Sequence, residues 1–384
     1  MSVYKRGRTW TYHAHWTNAD GTKDQRKRGG FRTKEAAARA EAVLLASVVH
    51  GDYVKPTKGL TVGEYLTGRW LPSRAGKVKP STLATDRYLI NAYVIPRLGS
   101  VELCKVDAAM LDGFYGALFA SGRTGVTGPA GSGLSTKTVR NVAGLLHKAF
   151  RDAVRWRLIA HNPATEAEPP RRVVAEMRYW TPEQLRRFLG HVADDRFYAV
   201  WLLAATTGMR RGELLGLRWS DVNLTARQVR VVNTRVLAGA VVADGSPKTE
   251  RGRRVIALDA ATVAALRVFR KAQIAERLAL GLAWDADGYV AAHPDSTPVY
   301  PKTFTQWFRA HCAAAGVPPI RLHDMRHTYA TIAIGVARVP IKVVSQRLGH
   351  ANVNITMGTY AHVLPGDDEA AADAAAAAIL GPAR

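Results

Sequence analysis

Apolar and polar residues alternate strictly along residues 9–17, with the aromatic side chains on one face of the stretch. A period of two indicates a β-strand with one buried face. The turn at 18–21, which contains Asp-Gly, leads into a basic stretch at 23–28 that we expect to pair back as a hairpin. Thr33 then caps an Ala- and Glu-rich helix that runs to about His50. The first region is therefore predicted to be a small sheet packed on one helix.

A second region has apolar residues at helical spacing. Thr61 and Glu64 form the sequence signature of a capping box at its start. Pro96, Gly99 and a loop rich in Gly, Ser and Thr at 122–134 interrupt the helical pattern. Helices are expected at 61–72, 81–95, 107–121 and 136–158. This pattern predicts an all-helical domain.

The third region combines helical and strand patterns. The segment 163–176 contains three prolines and alternating charge, which is typical of a linker, and a cap signature at 181–184 begins a new helix. An apolar helix is expected at 199–205, and β-branched runs within 228–258 indicate a sheet. The tail, 364–384, is rich in Ala with Asp and Glu, which is compatible with a helix that has little core of its own.

Together these elements predict a multidomain chain that is mainly α-helical with small β-sheets. We expect a sheet-plus-helix domain at 1–55, an all-helical domain at 61–165, and an α+β domain with its C-terminal tail at 176–384. A length of 384 residues is sufficient for two or three domains, each with its own core.

Positive charge is spread over all three regions. The chain has 54 Lys and Arg against 31 Asp and Glu, a net charge of +23. Residues 1–60, 61–175 and 176–384 each have an excess of seven or eight positive charges, so each region is expected to contact a polyanion, for which nucleic acid is the first candidate. A basic surface that is merely solvated is the alternative.

Other sequence features exclude several classes of protein. Cys104 and Cys312 are too few and too far apart for a disulfide framework or a zinc cluster. No apolar run approaches the roughly 20 residues of a membrane span, and the chain has no P-loop for ATP. We expect a cytoplasmic protein that does not contact membranes.

Several residues of the third region are suited to act on a phosphate group. Arg210 follows a turn at 206–208 and lies near a predicted helix N-terminus, which favours anions. Taken alone, Arg210 with Glu213 three residues later is typical of a surface ion pair. Farther along, His323 and Arg326 are three residues apart, so they share one helical face and place a titratable donor beside a fixed cation.

Three more candidates complete the set. Lys248 lies in a basic turn between the candidate strands, and His350 is followed ten residues later by Tyr360. The pattern from His323 to His327 also resembles the H-E-x-x-H of zinc proteases, but Asp324 is shorter than the required Glu and no third ligand is evident. A lone tyrosine is usually structural; the joint presence of all these residues favours a catalytic interpretation.

The third region resembles the tyrosine recombinases, the phage integrase family. The matching motifs are TTGMRRGELLGLRW at 206–219, PKTERGRRV at 247–255, LHDMRH at 322–327 and LGHANVNITMGTYAHV at 348–363. The resemblance extends upstream, because many integrases carry a small arm-binding domain and a helical core-binding domain before the catalytic domain. It implies a site-specific recombinase that acts through a 3′-phosphotyrosyl intermediate, needs no cofactor or metal, and integrates and excises a phage or mobile element.

The resemblance also implies a role for each candidate residue. The two guanidinium groups neutralise charge that builds on the nonbridging oxygens, and His350 adds a hydrogen bond to them. Tyr360 is the nucleophile, its proton is expected to pass to His323, and Lys248 protonates the leaving 5′-hydroxyl. Glu213 orients Arg210. The catalytic set is thus Arg210, Lys248, His323, Arg326, His350 and Tyr360, and the expected DNA contacts of the N-terminal hairpin are Lys23, Arg26, Lys27 and Arg28.

The expected partners follow from the same resemblance. They are double-stranded DNA with core and arm attachment sites, a homo-tetramer assembled on two duplexes, a DNA-bending accessory protein and an excision factor. The tail after Tyr360 either docks on a neighbouring subunit or is disordered. Two alternatives stay open: a resolvase of chromosome or plasmid dimers, against which residues 1–55 argue, and a non-catalytic DNA-binding regulator.

Overall fold

A computed structural model of the chain describes residues 3–17, 21–50, 53, 59–123, 131–173, 177–239, 241–245 and 252–360, and six residues between 372 and 379. The chain divides into two compact units, Met1–Val174 and Ala175–Arg384. The first unit contains two separate hydrophobic clusters, one in the N-terminal sheet and helix and one in the helices that follow. The division into three domains stays a prediction.

The N-terminal elements form a three-stranded antiparallel sheet with one helix. The elements are β1 (Val3–Arg6), β2 (Thr9–Thr17), β3 (Lys23–Phe31) and α1 (Lys34–Val49). The Thr33 hydroxyl accepts a hydrogen bond from the backbone N–H of Ala36, as the predicted cap requires. The expected strand and helix are confirmed. The sequence did not indicate β1, which is too short to show alternation, and the turn residues 18–20 lie outside the described part.

A glycine pair explains why β3 extends past its predicted end. The register with β2 shifts between Trp10 and Tyr12, opposite Gly29 and Gly30. A Cβ atom on Gly29 would lie 2.7 Å from the Thr11 hydroxyl oxygen, and Gly30 has a φ of +93°. Only glycine fits both positions of this β-bulge without strain. Strand propensities therefore predict an end of β3 that is too early, because glycine is disfavoured within β-strands.

The following helices contain two wider π-helical turns. The Thr61–Glu64 capping box is confirmed, with the Glu64 carboxylate accepting from the Thr61 N–H at 2.9 Å. The helices are α2 (Val62–Glu64), a π turn (Tyr65–Trp70), α3 (Leu71–Arg74), α4 (Pro80–Leu89), a π turn (Ile90–Val94), α5 (Ile95–Leu98), α6 (Ala108–Ser121) and α7 (Thr136–Arg155). Together they enclose a buried core. The all-helical pattern is confirmed.

The prediction that Pro96 breaks the second helix is wrong. Pro96 is the second residue of α5, and the chain stays helical from Pro80 to Leu98. Proline offers no N–H and its ring clashes with the carbonyl one turn earlier. A π turn lies directly before α5, and its wider hydrogen-bond spacing leaves one carbonyl without a helical N–H partner. The missing N–H of Pro96 and the bulk of its ring are therefore both tolerated at this point of the helix. Pro72 in α3 follows the first π turn in the same way.

The second unit combines helices with two small sheets. Its elements are α8 (Pro182–His191), α9 (Tyr198–Thr207), α10 (Arg211–Leu215), β4 (Val222–Asn223), β5 (Gln228–Val231), β6 (Thr234–Ala238), β7 (Val241–Gly245), β8 (Arg254–Ala257), α11 (Ala260–Ala279), α12 (Pro301–Ala314), α13 (Leu322–Thr331), α14 (Ile341–Leu348) and α15 (Val353–Tyr360). β4, β5 and β8 form one antiparallel sheet, and β6 and β7 form a separate hairpin. The predicted strands β5 and β8 are confirmed; the hairpin between them was not expected.

Two hydrophobic clusters stabilise this unit. The larger one contains stacked aromatic rings, with the Trp201 and Phe304 centroids 4.2 Å apart. The smaller one joins α13, α14 and α15 and includes Leu348 and Tyr360. Among the helices that the structure describes, none combines the length and apolar composition needed to cross a bilayer. The six described tail residues are helical and exposed; the rest of the tail prediction lies outside the described part.

Candidate active site

Arg210 stands at the start of α10, as predicted. The preceding helix ends at Gly208, which adopts the left-handed conformation with φ +63° and reverses the chain. Arg210 is the N-cap residue of α10, and its backbone N–H and its guanidinium donate to the Glu213 carboxylate at 2.9 and 2.7 Å. A second guanidinium nitrogen donates to the Gly349 carbonyl at 3.4 Å. Arg210 is thereby linked to the loop that carries His350.

Glu213 is a buried carboxylate shared by two arginines. It is 1% exposed and accepts from the Arg254 guanidinium of β8 at 2.9 and 3.2 Å. Burial alone would raise the pKa of Glu213, but the hydrogen bonds and charge of Arg254, followed by the charge of Arg210, hold that pKa below its ordinary value. Glu213 is therefore ionised and fixes both cations. The sequence placed Glu213 beside Arg210 but did not identify Arg254 as the second partner.

Arg326 joins the elements of the site through main-chain carbonyls. It is 3% exposed, and its guanidinium donates to the Gly208 carbonyl at 2.9 Å and to the Leu348 carbonyl at 2.6 Å. Burial, followed by the charge of Arg210, lowers the pKa of Arg326 to about 9. The group is still cationic at neutral pH. Arg326 thus lies beside the turn before Arg210 and the turn before His350.

His323 shares a helix with Arg326, as the spacing predicted, but solvent reaches its side chain. Its surroundings lower the pKa of His323 to about 4, mainly through desolvation and then through the charges of His327, Arg326 and Arg210. His323 is therefore neutral at physiological pH.

His350 is held in one orientation by a buried threonine. Its Nδ1 lies 2.8 Å from the hydroxyl of Thr356, a fully buried residue of α15. Desolvation and the charges of Arg326 and Arg210 lower the pKa of the half-buried His350 to about 4. With Nδ1 occupied by Thr356, the nitrogen left for a ligand is Nε2.

Tyr360 ends α15, and its ring belongs to the smaller hydrophobic cluster. The residue is 1% exposed, and its hydroxyl lies 2.7 Å from Nδ1 of His327. Burial raises the pKa of Tyr360 to about 12, and the charge of Arg326 opposes that rise. Within the described residues, the hydrogen-bond partner of the phenol is thus His327, whereas the resemblance implied His323. In the sequence His327 was considered only as a zinc ligand, and its position directly after Arg326 was the available signal.

The remaining candidates are partly outside the described residues. Lys248 falls in the segment 246–251, which the structure does not describe, so its predicted place stays a prediction. The zinc interpretation has no support in the described residues: Asp324 accepts from Arg321 at 2.7 Å, and no group of three metal-ligating side chains is found there. An open depression of about 730 Å³ beside the site is lined by Arg253, Arg254, Lys342, Gln346, His350 and Asn352.

The four basic residues of β3 are divided between two faces of the N-terminal sheet. Arg26 and Arg28 pair with Ala14 and Tyr12, so they share the face that α1 covers. Their guanidinium groups lie over aromatic rings, Arg26 at 6.0 Å from Tyr53 and Arg28 at 5.6 Å from Phe31. Lys27 pairs with His13, and Lys23 pairs with Thr17, on the other face. That open face presents the two lysines to solvent.

Comparisons with known proteins give a consistent result. The model of the phage integrase family matches residues 178–366, and the model of an arm DNA-binding domain matches residues 2–48. The chain is 26% identical over 359 residues to a tyrosine recombinase XerC-like protein of Caldanaerobacter subterraneus, which covers 88% of this chain and 87% of that protein. It is 26% identical over 299 residues to the ICEBs1 integrase of Bacillus subtilis, covering 77% of each.

Solved structures share the fold. The Tn1549 transposon integrase in complex with transposon right end DNA aligns with a TM-score of 0.66 and 22% identity, covering 83% of this chain and 100% of that chain. A lambda integrase tetramer bound to a Holliday junction aligns with a TM-score of 0.57 and 17% identity, covering 91% of this chain and 96% of that chain. The predicted fold class, mainly α with small sheets, is confirmed.

Proposed function

The chain belongs to the phage integrase family of tyrosine recombinases and carries an arm DNA-binding domain at its N-terminus, and on that premise we propose that it integrates and excises a mobile element through a 3′-phosphotyrosyl intermediate. The single observation that carries the proposal is the set of contacts around Arg326. Its guanidinium touches the turns that precede Arg210 and His350, and the next residue of α13 contacts the Tyr360 hydroxyl.

The proposed chemistry is a direct attack of the Tyr360 oxygen on a DNA phosphate. Negative charge builds on the two nonbridging oxygens, and Arg210 and Arg326 are fixed cations that stabilise it. Both guanidinium groups are held by protein acceptors, which limits the reorganisation needed when DNA binds. His350, with Nδ1 engaged by Thr356, donates from Nε2 to the same oxygens. Glu213 keeps Arg210 in place.

The leaving group is the 5′-hydroxyl of the broken strand. Lys248, as implied by the family, supplies its proton. The phosphotyrosyl bond conserves the energy of the phosphodiester, so the 5′-hydroxyl of another duplex reverses the attack and completes strand exchange. The groups proposed for this scheme all belong to the protein and the DNA.

The proposed organisation has three DNA-contacting parts. Residues 1–55 bind arm-type sites, 61–165 bind the core site with the catalytic domain, and 176–384 carry out the reaction. Recombination requires four strand cleavages on two duplexes, so we propose a homo-tetramer on DNA, with a DNA-bending protein and an excision factor as accessory partners. We further propose that it acts in the cytoplasm and that its tail after Tyr360 docks on a neighbouring subunit.

The decisive experiment uses a nicked suicide substrate that contains the junction sequence of the element. The native chain is expected to form a protein–DNA adduct that resists denaturant, whereas Tyr360→Phe forms none and still binds DNA, because only the nucleophilic oxygen is removed. The matched control is Tyr300→Phe, a tyrosine that is 39% exposed, which should form the adduct normally. An adduct formed by the Tyr360→Phe variant would disprove the assignment of the nucleophile.

A further inference from the structure

The hydroxyl of Tyr360 has a histidine beside it to which the family resemblance assigned no role. We propose that His327 is the catalytic base that accepts the phenolic proton when Tyr360 attacks the DNA phosphate, an inference that rests on the proposed function. The distance from the hydroxyl oxygen to His327 Nδ1 is 2.7 Å. That value lies within the reach required of a general base.

Because the Tyr360 hydroxyl is buried, its proton must pass to a group of the protein. The Tyr360 side chain is 1% exposed and packs in a hydrophobic cluster with Leu348 and Val344. Bulk water therefore does not reach the hydroxyl in the protein without DNA. A phenol ordinarily holds its proton until about pH 10, and burial raises the pKa of this one to about 12. Attack at neutral pH consequently requires a base in direct contact.

The other histidines of the site are less suited to this step. His350 uses Nδ1 for the Thr356 hydroxyl, and the proposed scheme uses its Nε2 to donate to the phosphate oxygens. His323 is one turn before His327 on α13, with its ring centroid 5.3 Å from the His327 ring in an edge-on arrangement. Among the described residues, the histidine in contact with the phenol is His327, so the role expected of His323 is better filled by its neighbour.

The electrostatic surroundings keep His327 ready to accept a proton. Burial lowers the pKa of His327 from its ordinary value; Asp324 opposes this effect, and Arg326 and Arg321 add to it. At neutral pH the imidazole is therefore unprotonated on one nitrogen. The tautomer with hydrogen on Nε2 leaves the Nδ1 lone pair facing the phenol. Among the described residues, the ionisable groups that face His327 are Arg321 at the N-cap of α13, His323, Asp324 and Arg326 on α13, His350 on the α14–α15 loop, and Tyr360 on α15.

Every bond and proton of the proposed cleavage step is accounted for. The O–H bond of Tyr360 breaks, its proton moves to Nδ1 of His327, and the phenolic oxygen forms a bond to phosphorus. The bond from phosphorus to the 5′-oxygen breaks, and that oxygen takes a proton from the general acid. On rejoining, the 5′-hydroxyl attacks the phosphotyrosine and the departing phenolate recovers its proton from the His327 imidazolium.

The test compares substrates that differ in their leaving group. One suicide substrate has the natural 5′-oxygen and the other has a 5′-bridging sulfur, which leaves without needing a proton. His327→Asn can accept the phenolic hydrogen bond but cannot hold the proton, so its single-turnover cleavage should be about 100-fold slower or more on both substrates. Lys248→Ala serves as the contrast, because sulfur should restore its cleavage if Lys248 acts on the leaving group.

The pH profile separates a base from a structural contact. Native cleavage should decrease as pH falls below the ordinary histidine range, because His327 becomes protonated, and His327→Asn should lose this acidic limb. His323→Asn is the matched control and should retain it. Four results for His327→Asn would each overturn the proposal: restored cleavage of the sulfur substrate, a native cleavage rate, a native pH profile, or cleavage faster than that of the native chain. Faster cleavage would mean that His327 only restrains the tyrosine.

A measurement on the native protein covers the case in which the variant does not fold. Nitrogen-15 NMR of histidine-labelled protein should find Nδ1 of His327 unprotonated at neutral pH, and a hydrogen on Nδ1 would overturn the proposal. Adduct formation by the native chain, together with its absence in Tyr360→Phe, tests the proposed function separately. A failure of the His327 inference is thus distinguishable from a failure of the recombinase assignment.

Discussion

At the scale of single residues, the site depends on one buried carboxylate. Glu213 is held by Arg210 from its own helix turn and by Arg254 from β8. Removing its charge leaves Arg254, which is 7% exposed, without its counter-ion. Breaking a buried pair in this way generally costs several kcal/mol, because a charge stays buried without compensation.

We therefore expect Glu213→Gln to lower the free energy of unfolding of the protein by about 3 kcal/mol, measured by urea denaturation. Cleavage should also slow, because Arg210 loses its anchor. The matched control is Glu183→Gln, since Glu183 pairs with Arg186 at the same i,i+3 spacing but both side chains are about 70% exposed. That control should unfold at the native denaturant concentration. Equal destabilisation by both substitutions would contradict the central place given to Glu213.

At this scale the sequence indicated the candidate residues but not the contacts between them. Motif spacing indicated Arg210, Arg326, His350 and Tyr360 as candidates, because each lies in a short segment with a recognisable pattern. It did not reveal that His327 contacts Tyr360, since 33 residues separate them and only the packing of α15 on α13 joins them. The pairing of Arg254 with Glu213, 41 residues apart, was missed for the same reason.

At the scale of elements, the turn between α9 and α10 needs glycine for two reasons. Gly208 has a φ of +63°, and a Cβ atom there would lie 2.5 Å from a ring carbon of Tyr329. Its carbonyl accepts from Arg326. A change in this turn consequently affects both the path of the chain and the orientation of a candidate catalytic cation.

Gly208→Ala should destabilise the protein by about 1–3 kcal/mol, the usual cost of a strained backbone position, and should reduce cleavage more than DNA binding. Gly190→Ala in α8 is the control, because its φ is not positive and nothing lies within 4 Å of the added carbon. That substitution should leave stability unchanged or slightly raise it, since Ala is the better helix former. Thermal unfolding of both variants provides the comparison; an unaffected Gly208→Ala protein would refute the strain argument.

Element boundaries were predictable wherever local signals act alone. The caps at Thr33, Thr61 and Thr181 form as expected, because a hydroxyl and a backbone N–H three residues apart suffice. The helix through Pro96 was missed, since a π turn is a property of backbone hydrogen bonding that side-chain periodicity does not report. The β6–β7 hairpin was missed because its residues, where their burial is described, are half-buried or exposed and show no clear alternation.

At the scale of the whole molecule, a net charge of +23 makes DNA affinity depend on salt. The four basic residues of β3 are not equivalent, however, because Arg26 and Arg28 lie on the face that α1 covers. Lys27 also lies over an aromatic ring, 5.4 Å from that of Tyr4, but on the other face of the sheet. Lys23 and Lys27 lie on the open face and are the stronger candidates for phosphate contacts.

We expect the double variant Lys23→Ala with Lys27→Ala to weaken binding to arm-type DNA and to reduce the salt slope of log K by about 2, roughly one for each phosphate contact. Binding to core-type DNA should be unchanged. The control removes the same charge from α1 with Lys34→Ala and Arg39→Ala, both exposed, and should keep the native slope. Fluorescence anisotropy over a salt series measures both. An equal loss in both variants would favour a merely solvated basic surface.

Within the described residues, the clamp on Arg326 consists of main-chain oxygens, those of Gly208 and Leu348. Every residue type has a carbonyl, so exchanging the Leu348 side chain for another apolar one leaves this acceptor in place. The orientation of the Arg326 guanidinium is thus set by the backbone path of these two turns and not by partner side chains. Such a clamp can survive extensive divergence of its neighbours, whereas a small backbone shift in either turn would misdirect it.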